Sequence, residues 1–253
     1  MEGLYLAGDS RIHRLPAQVK VVAALLFVLV VVTTPRERVL AFAGYAVLVA
    51  AVAALAAIPP LRMLRRMMIE LPFVVFAVLL PVFGLGERVM VLGGVSLSVE
   101  GLWAAWNILA KATLGVAVAV ILGATTRPQD FVGGLARLRL PALLVQITGF
   151  MVRYVDVVVD EATRMRTAMA ARGFTARHLN AWPAVARSLG TLFVRTYERG
   201  ERVHVAMLSR GYDGSAKAWS LGTSPAGPTV WATGLALPAA ALAVAGVAWW
   251  STW

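Results

Sequence analysis

Apolar residues in this chain gather into long unbroken runs rather than the alternating patterns of a water-soluble domain. Val39–Ile58 is 20 residues without a charge and Val230–Trp250 is 21. A bilayer-crossing helix needs about 20 mostly apolar residues, so both runs predict membrane spans. Gly101–Thr125 is long enough as well and carries Asn107 and Lys111 near its middle. Val21–Thr34 and Leu71–Leu85 are shorter, 14 and 15 residues, and count as spans only if their flanks complete them. Val21–Thr34 also has the length of a signal-peptide core. The Thr33-Thr34-Pro35-Arg36 that closes it lacks a small-x-small cleavage pattern, so it stands as the first span.

The charges between the runs predict a topology. Arg11, Arg14 and Lys20 precede the first span, Arg62, Arg65 and Arg66 lie between the second and third, and Arg127, Arg137 and Arg139 follow the fourth. The intervening loops are balanced or poor in charge, with Arg36, Glu37 and Arg38 in one and Glu87, Arg88 and Glu100 in the other. Alternate loops are therefore basic, as a cytoplasmic N-terminus requires. One more crossing puts the C-terminus outside, with Trp249, Trp250 and Trp253 at the outer interface.

Composition agrees. The 253 residues are 59% hydrophobic and 15% charged, against roughly 45–50% and 25% in soluble domains. Twenty-four Lys and Arg against 13 Asp and Glu give a net charge of +11. The positive-inside bias accounts for it, and a nucleic-acid binder is excluded on composition. No cysteine is present, which removes disulfides, thiolate metal sites and a Cys nucleophile. His13, His178 and His204 are scattered without ligand spacing.

Residues 127–217 differ from the rest, holding 14 of the 24 basic residues and seven of the 13 acidic ones. The chain thus divides into an N-terminal transmembrane domain over 1–126 with about four spans, a cytoplasmic helical domain over 127–217, and a C-terminal transmembrane helix over 218–253. The predicted fold class is an all-α polytopic membrane protein with about five spans plus crossed amphipathic helices. Leu140–Val152 is apolar enough to dip into the membrane, but Arg153, Asp156 and Asp160 argue against a full crossing.

Two helices stand out in the basic segment. Met151, Val155, Val158, Ala162, Met165 and Met169 recur at steps of four and three, and so do Leu189, Phe193, Thr196, Gly200, Val203 and Met207. Each series draws a narrow seam along one helix face. Asp160 with Arg164, and Glu198 with Arg202, are acid-to-base pairs at i,i+4 in the favourable order. The helices also match at an offset of 38: Asp160 with Glu198, Arg164 with Arg202, Met169 with Met207, and Arg172-Gly173-Phe174 with Arg210-Gly211-Tyr212. This is an internal duplication of a helix and its terminus.

Glycine just past a helix closes the last turn, and an arginine there suits the helix dipole. Capping explains one copy. It does not require the small residue before the arginine or the aromatic after the glycine, and both recur. Each arginine also falls on its seam, so a guanidinium emerges at the tip of an apolar stripe. Such a group suits a bidentate contact to a partner's carboxylate, with Phe174 and Tyr212 as aromatic anchors.

These residues carry a resemblance. Ala171-Arg172-Gly173 and Ser209-Arg210-Gly211 resemble the two Ala-Arg-Gly motifs of the transmembrane T-component of energy-coupling-factor (ECF) transporters, most closely the CbiQ type of cobalt and nickel transport. Phe150-Met151-Val152-Arg153-Tyr154, Tyr197-Glu198-Arg199 and Ser10-Arg11-Ile12-His13-Arg14-Leu15 with Lys20 are similar to further stretches of that family. Ser209 stands where the family has Ala, and the family's Asp-Pro after Leu15 is absent. The resemblance implies a non-catalytic subunit in a prokaryotic cell membrane. Its two helix tips, Ala171, Arg172, Gly173 and Phe174, and Ser209, Arg210, Gly211 and Tyr212, would dock into two ABC-type ATPase subunits. A separate CbiM-like membrane subunit would capture the substrate. No G-x-x-x-x-G-K-[ST] occurs, so ATP and Mg²⁺ belong to the ATPases and this chain needs no cofactor or metal of its own.

Two other groups invite chemistry. Lys111 is costly in mid-span unless it faces protein or water. It reads either as a contact to the capture subunit, shared with Asn107 one turn earlier, or as a structural partner of Glu70 or Glu100 or a snorkelling side chain. Asp156, Asp160 and Glu161 form the densest acidic group and offer an alternative, a membrane-embedded Mg²⁺-dependent prenyltransferase-like enzyme. Arg153 and Arg164 stand at pairing distance in sequence, and no second acidic cluster completes a metal site, so structural pairing is preferred.

Overall fold

The computed structural model describes residues 5–83, 88–91, 95–174, 182–214 and 226–250. In chain order the helices are α1 (Ala17–Thr33), α2 (Val39–Leu55), α3 (Pro60–Met67), α4 (Leu71–Phe83), α5 (Val99–Thr125), α6 (Pro128–Arg137), α7 (Ala142–Ala171), α8 (Trp182–Leu208) and α9 (Pro228–Trp250). A short 3-10 turn, Met68–Glu70, joins α3 to α4. An antiparallel hairpin of β1 (Arg88–Val91) and β2 (Val95–Ser98), in register Arg88 to Ser98, precedes α5. Apart from this short hairpin, the fold is the expected all-α polytopic one. The hairpin's sequence signal is Gly93-Gly94 between two apolar runs, a pair that favours tight hairpin turns.

Among the described residues, four helical stretches are long and apolar enough to cross a membrane: Pro60–Phe83, Val99–Thr125, Ala142–Ala171 and Pro228–Trp249. Three expectations change. The third span gains its missing length from α3, which runs through the 3-10 turn into α4. Val39–Ile58, expected as a 20-residue span, yields a helix of 17 residues, about 26 Å at 1.5 Å per residue. Proline forces its predecessor into an extended backbone, so Pro59-Pro60 stop α2 at Leu55. Ala57 takes φ +53°, Ile58 N–H donates to the Ala53 carbonyl and Ala57 N–H to the Ala54 carbonyl. Finally, Leu140–Val152 is no isolated dip: it opens a continuous 30-residue helix that qualifies as a span by length and composition despite Arg153 and Asp156.

The chain divides into two compact units, Leu135–Gly222 and Glu2–Gly134 with Thr223–Trp253. In the second, α1, α2, α5 and α9 surround a core of Phe27, Val31, Phe42, Tyr45, Val49, Leu114, Val118 and Ile121. Edge-on ring contacts link Phe27 and Phe42 to Tyr45, whose hydroxyl lies 3.0 Å from Thr34 Oγ1. Where membrane helices press together, small residues let backbones approach. A methyl on Gly101 would stand 2.6 Å from the Leu80 carbonyl oxygen and 2.8 Å from Pro81 Cα, so glycine is what lets α5 lie against α4. Ser98 caps α5 by accepting from Gly101 N–H at 3.2 Å, the usual N-cap bond.

The N-terminal segment folds over the end of α5. Leu6 N–H donates to the Ala124 carbonyl at 2.9 Å, and His13 Nε2 lies 3.0 Å from the Leu6 carbonyl oxygen. Buried Lys20 donates to the Thr125 carbonyl at 2.7 Å and to that of His13 at 3.2 Å. Arg14 grips Asp9 with bonds of 2.9 and 2.6 Å and holds its carboxyl below the usual range.

Two substitutions should act with opposite sign on the unfolding midpoint of the detergent-solubilised chain. Ala57→Gly relieves a left-handed alanine and should stabilise by about 1 kcal/mol. Gly101→Ala forces α4 and α5 apart and should destabilise by about 1–3 kcal/mol.

Candidate partner-docking site

Within the unit Leu135–Gly222, α7 and α8 run antiparallel. Arg195 of α8 donates to Glu161 of α7 at 2.5 Å, while Tyr212, just past the end of α8, reaches back to Gln146 near the start of α7. The seam positions Val155, Val158, Ala162, Met165 and Met169, and likewise Thr196, Val203 and Met207, are half-buried. Met151, Leu189 and Phe193 are exposed, Phe193 by 69%. The two seams therefore bury only part of their length against the unit itself. An open cavity of about 570 Å³ separates the helices, lined among others by Phe150, Tyr154, Arg199, Val203 and Met207.

The helix ends repeat each other bond for bond. Phe174 N–H donates to the Met169 carbonyl at 3.1 Å and Gly173 N–H to the Ala170 carbonyl at 3.0 Å. Thirty-eight residues on, Tyr212 N–H donates to the Met207 carbonyl and Gly211 N–H to the Leu208 carbonyl, both at 3.0 Å. This six-to-one, five-to-two pairing is the Schellman closure. Gly173 and Gly211 supply the left-handed residue at φ +75° and +80°, where any other L-residue is strained. Among the described residues, no non-neighbouring atom lies within 4 Å of a methyl placed on either glycine. Arg172 and Arg210 are exposed, with Phe174 and Tyr212 half-buried beside them. The flanking Ala171 and Ser209 are exposed too, and Ser209 Oγ donates to the Ala206 carbonyl at 3.0 Å.

Several expectations are revised. Arg164 bonds Glu161 at 2.8 Å, its neighbour at i,i+3, rather than Asp160. Glu198 and Arg202 do meet, at 3.9 Å. Glu161 thus accepts from two guanidinium groups, Arg164 and Arg195, which spends the most enclosed carboxylate of the Asp156, Asp160 and Glu161 group on ion pairs instead of a cation cradle. Tyr212 is no free anchor. Its hydroxyl donates to Gln146 Oε1 at 2.5 Å, and Gln146 Nε2 donates to the Gly214 carbonyl. Sequence reasoning passed over Gln146, whose signal is a lone amide inside the apolar stretch Leu140–Val152.

Lys111 pairs with neither Glu70 nor Glu100. Its Nζ donates to the Val32 carbonyl at 2.8 Å, one of the last carbonyls of α1, where a cation also meets the negative end of the helix dipole. Glu70 instead accepts from Thr113 Oγ1 at 2.7 Å. Asn107 does not share the lysine's acceptor: its Oδ1 is buried without a hydrogen-bond partner among the described residues. Lys111→Met should lower the stability of the isolated chain by about 1 kcal/mol, measured as a fall in its unfolding midpoint with no other subunit present.

Known proteins are similar to this chain in sequence. The family model described as cobalt transport protein, CbiQ, covers residues 8–219. The chain is 31% identical over 229 residues to the energy-coupling factor transporter transmembrane protein EcfT of Thermanaerovibrio acidaminovorans, spanning 84% of this chain and 82% of that one. It is 30% identical over 151 residues to the cobalt transport protein CbiQ of Rhodobacter capsulatus, 59% of this chain and 61% of the relative. A putative fused cobalt transport protein CbiMQ of Methanocorpusculum labreanum is 29% identical over 107 residues, 42% of this chain and 18% of the fusion. With more than half its length inside one family model, the chain belongs to the CbiQ family and is a non-catalytic transmembrane component of the energy-coupling-factor type.

Proposed function

We propose that this chain is the coupling subunit of a cobalt or nickel importer, joining two ABC-type ATPase subunits to a separate substrate-capture subunit in a prokaryotic cell membrane. The carrying observation is the pair of matched Schellman ends, each presenting an exposed arginine, Arg172 and Arg210, beside a half-buried aromatic. Neither guanidinium makes an ion pair with another described residue, so each is available to a carboxylate lining an ATPase groove. Lys111 is engaged by the Val32 carbonyl, whereas Asn107, whose Oδ1 has no hydrogen-bond partner among the described residues, keeps its place as a candidate contact to the capture subunit. ATP and Mg²⁺ are held by the ATPases.

The separate capture subunit is supported by the name of the fused relative, CbiMQ, which joins a second component to a CbiQ part. Cobalt is supported by the description of the matching family as cobalt transport; nickel rests on the resemblance alone. The basic loops support a cytoplasmic N-terminus and an outside C-terminus, with the Arg172 and Arg210 ends of α7 and α8 facing the cytoplasm.

Losing one partner of a buried interfacial charge pair costs about 2–5 kcal/mol. Arg172→Ala or Arg210→Ala should each weaken ATPase association, and the double change should abolish co-purification of the ATPases with the membrane subunits. Retention of both ATPases by the double variant refutes the docking role. Uptake of radiolabelled cobalt and nickel by the reconstituted complex tests the substrate.

A further inference from the structure

The duplicated helix ends are not held alike. At the second end, Tyr212 donates its hydroxyl proton to Gln146 Oε1, and Gln146 Nε2 donates to the Gly214 carbonyl. The amide uses its acceptor and a donor at once, so only one of its two orientations serves both bonds. Gln146 is 8% exposed, with buried Val145 and Gly149 on either side. The offset of 38 identifies the equivalent pair at the first end: Phe174 for Tyr212 and Ala184 for Gln146. Phe174 has no hydroxyl and Ala184 no amide, so the first end has no such fastening.

We infer that Gln146 is a positioning residue that locks the second tip to the base of α7, turning α7 into a stiff spacer between the two arginines. The inference rests on the docking reading of Arg172 and Arg210. Two fixed points are needed to set the angle between crossing helices that enclose an open cavity. Glu161 with Arg195 is one, and it lies on a surface-accessible pair of the kind that holds weakly. Gln146 with Tyr212 is another, 15 residues away along α7, about 22 Å. From Gln146 to Arg172 is 26 residues of one unbroken helix, about 39 Å. With the fastening closed, a push on Arg210 is delivered to the first turns of α7. With it open, the Tyr212–Gly214 turn yields more to the same push and less of it reaches α7.

The absence of native cysteine permits a direct test on the full-length chain in lipid nanodiscs. Spin labels on Ala170→Cys and Ala206→Cys, both exposed, report the spacing of the two tips by pulsed electron resonance. The parent should give one narrow distance distribution, and Gln146→Met or Tyr212→Phe should broaden it at unchanged yield. In the reconstituted complex, Gln146→Met should keep ATPase association while metal transported per ATP hydrolysed falls several-fold. A distribution of unchanged width, or a broadened one with undiminished transport per ATP, overturns the inference. Failure of the docking reading registers separately, as ATPase binding that survives loss of both arginines.

Discussion

A helix leaves its last four carbonyls without partners inside the helix, and in a bilayer no water replaces them. The ways this chain closes its helix ends decide where its few charged groups go. At the end of α1, Thr33 Oγ1 serves the Leu29 and Val30 carbonyls, Thr34 N–H that of Val31, and Lys111 that of Val32. At the end of α5, Thr125 Oγ1 serves Ile121, Leu6 N–H serves Ala124, and Lys20 serves Thr125. Two lysines, Lys20 and Lys111, the second of which reads as a candidate functional charge in the sequence, are consumed in closing helices. Where α7 and α8 end, backbone N–H groups do the same work through left-handed glycines, and the arginines beside them remain free to face outward.

This division explains which parts of the molecule the sequence displays. The seams, the 38-residue repeat and the glycine caps are local, set by spacing along one helix, and the structure reproduces them. The partners of Arg164 and Lys111 depend on what another turn or another helix brings near. A sequence pattern ranks Asp160 and Glu161 as equal neighbours of Arg164, whereas the placement of Arg195 draws Glu161 into a shared pair. Likewise α2 is shorter than its apolar run because Pro59-Pro60 override hydropathy through backbone sterics. Gln146 escaped notice because an amide carries no charge pattern, and its role appears only when Tyr212 arrives from 66 residues away.

The apolar surface that α7 and α8 leave open fits the family role. Leu189, Phe193, Val194 and Tyr197 are all exposed on α8, a cluster that an isolated soluble helix would not maintain. Their exposure alongside the open cavity leaves the unit Leu135–Gly222 an apolar face that, on the proposed reading, partners or lipid would cover.

The antiparallel arrangement gives the duplication its geometric meaning. Two copies of a helix-plus-tip laid side by side in parallel would bring both tips to one end. Laid antiparallel they put the tips at opposite ends, related by a pseudo-two-fold axis. That axis exchanges the pair Glu161 and Arg195 with Val157 and Arg199, and all four line the same cavity. A pair of like motor subunits is itself two-fold related, so on the proposed reading one chain with a repeated segment offers each motor an equivalent plug. The charges do not obey the symmetry: the carboxylate of Glu161 has a guanidinium, Arg199, as its counterpart, and the hydroxyl–amide pair exists at one end alone. The backbone therefore meets the demand for two matching contacts, while the side chains make the two ends mechanically distinct.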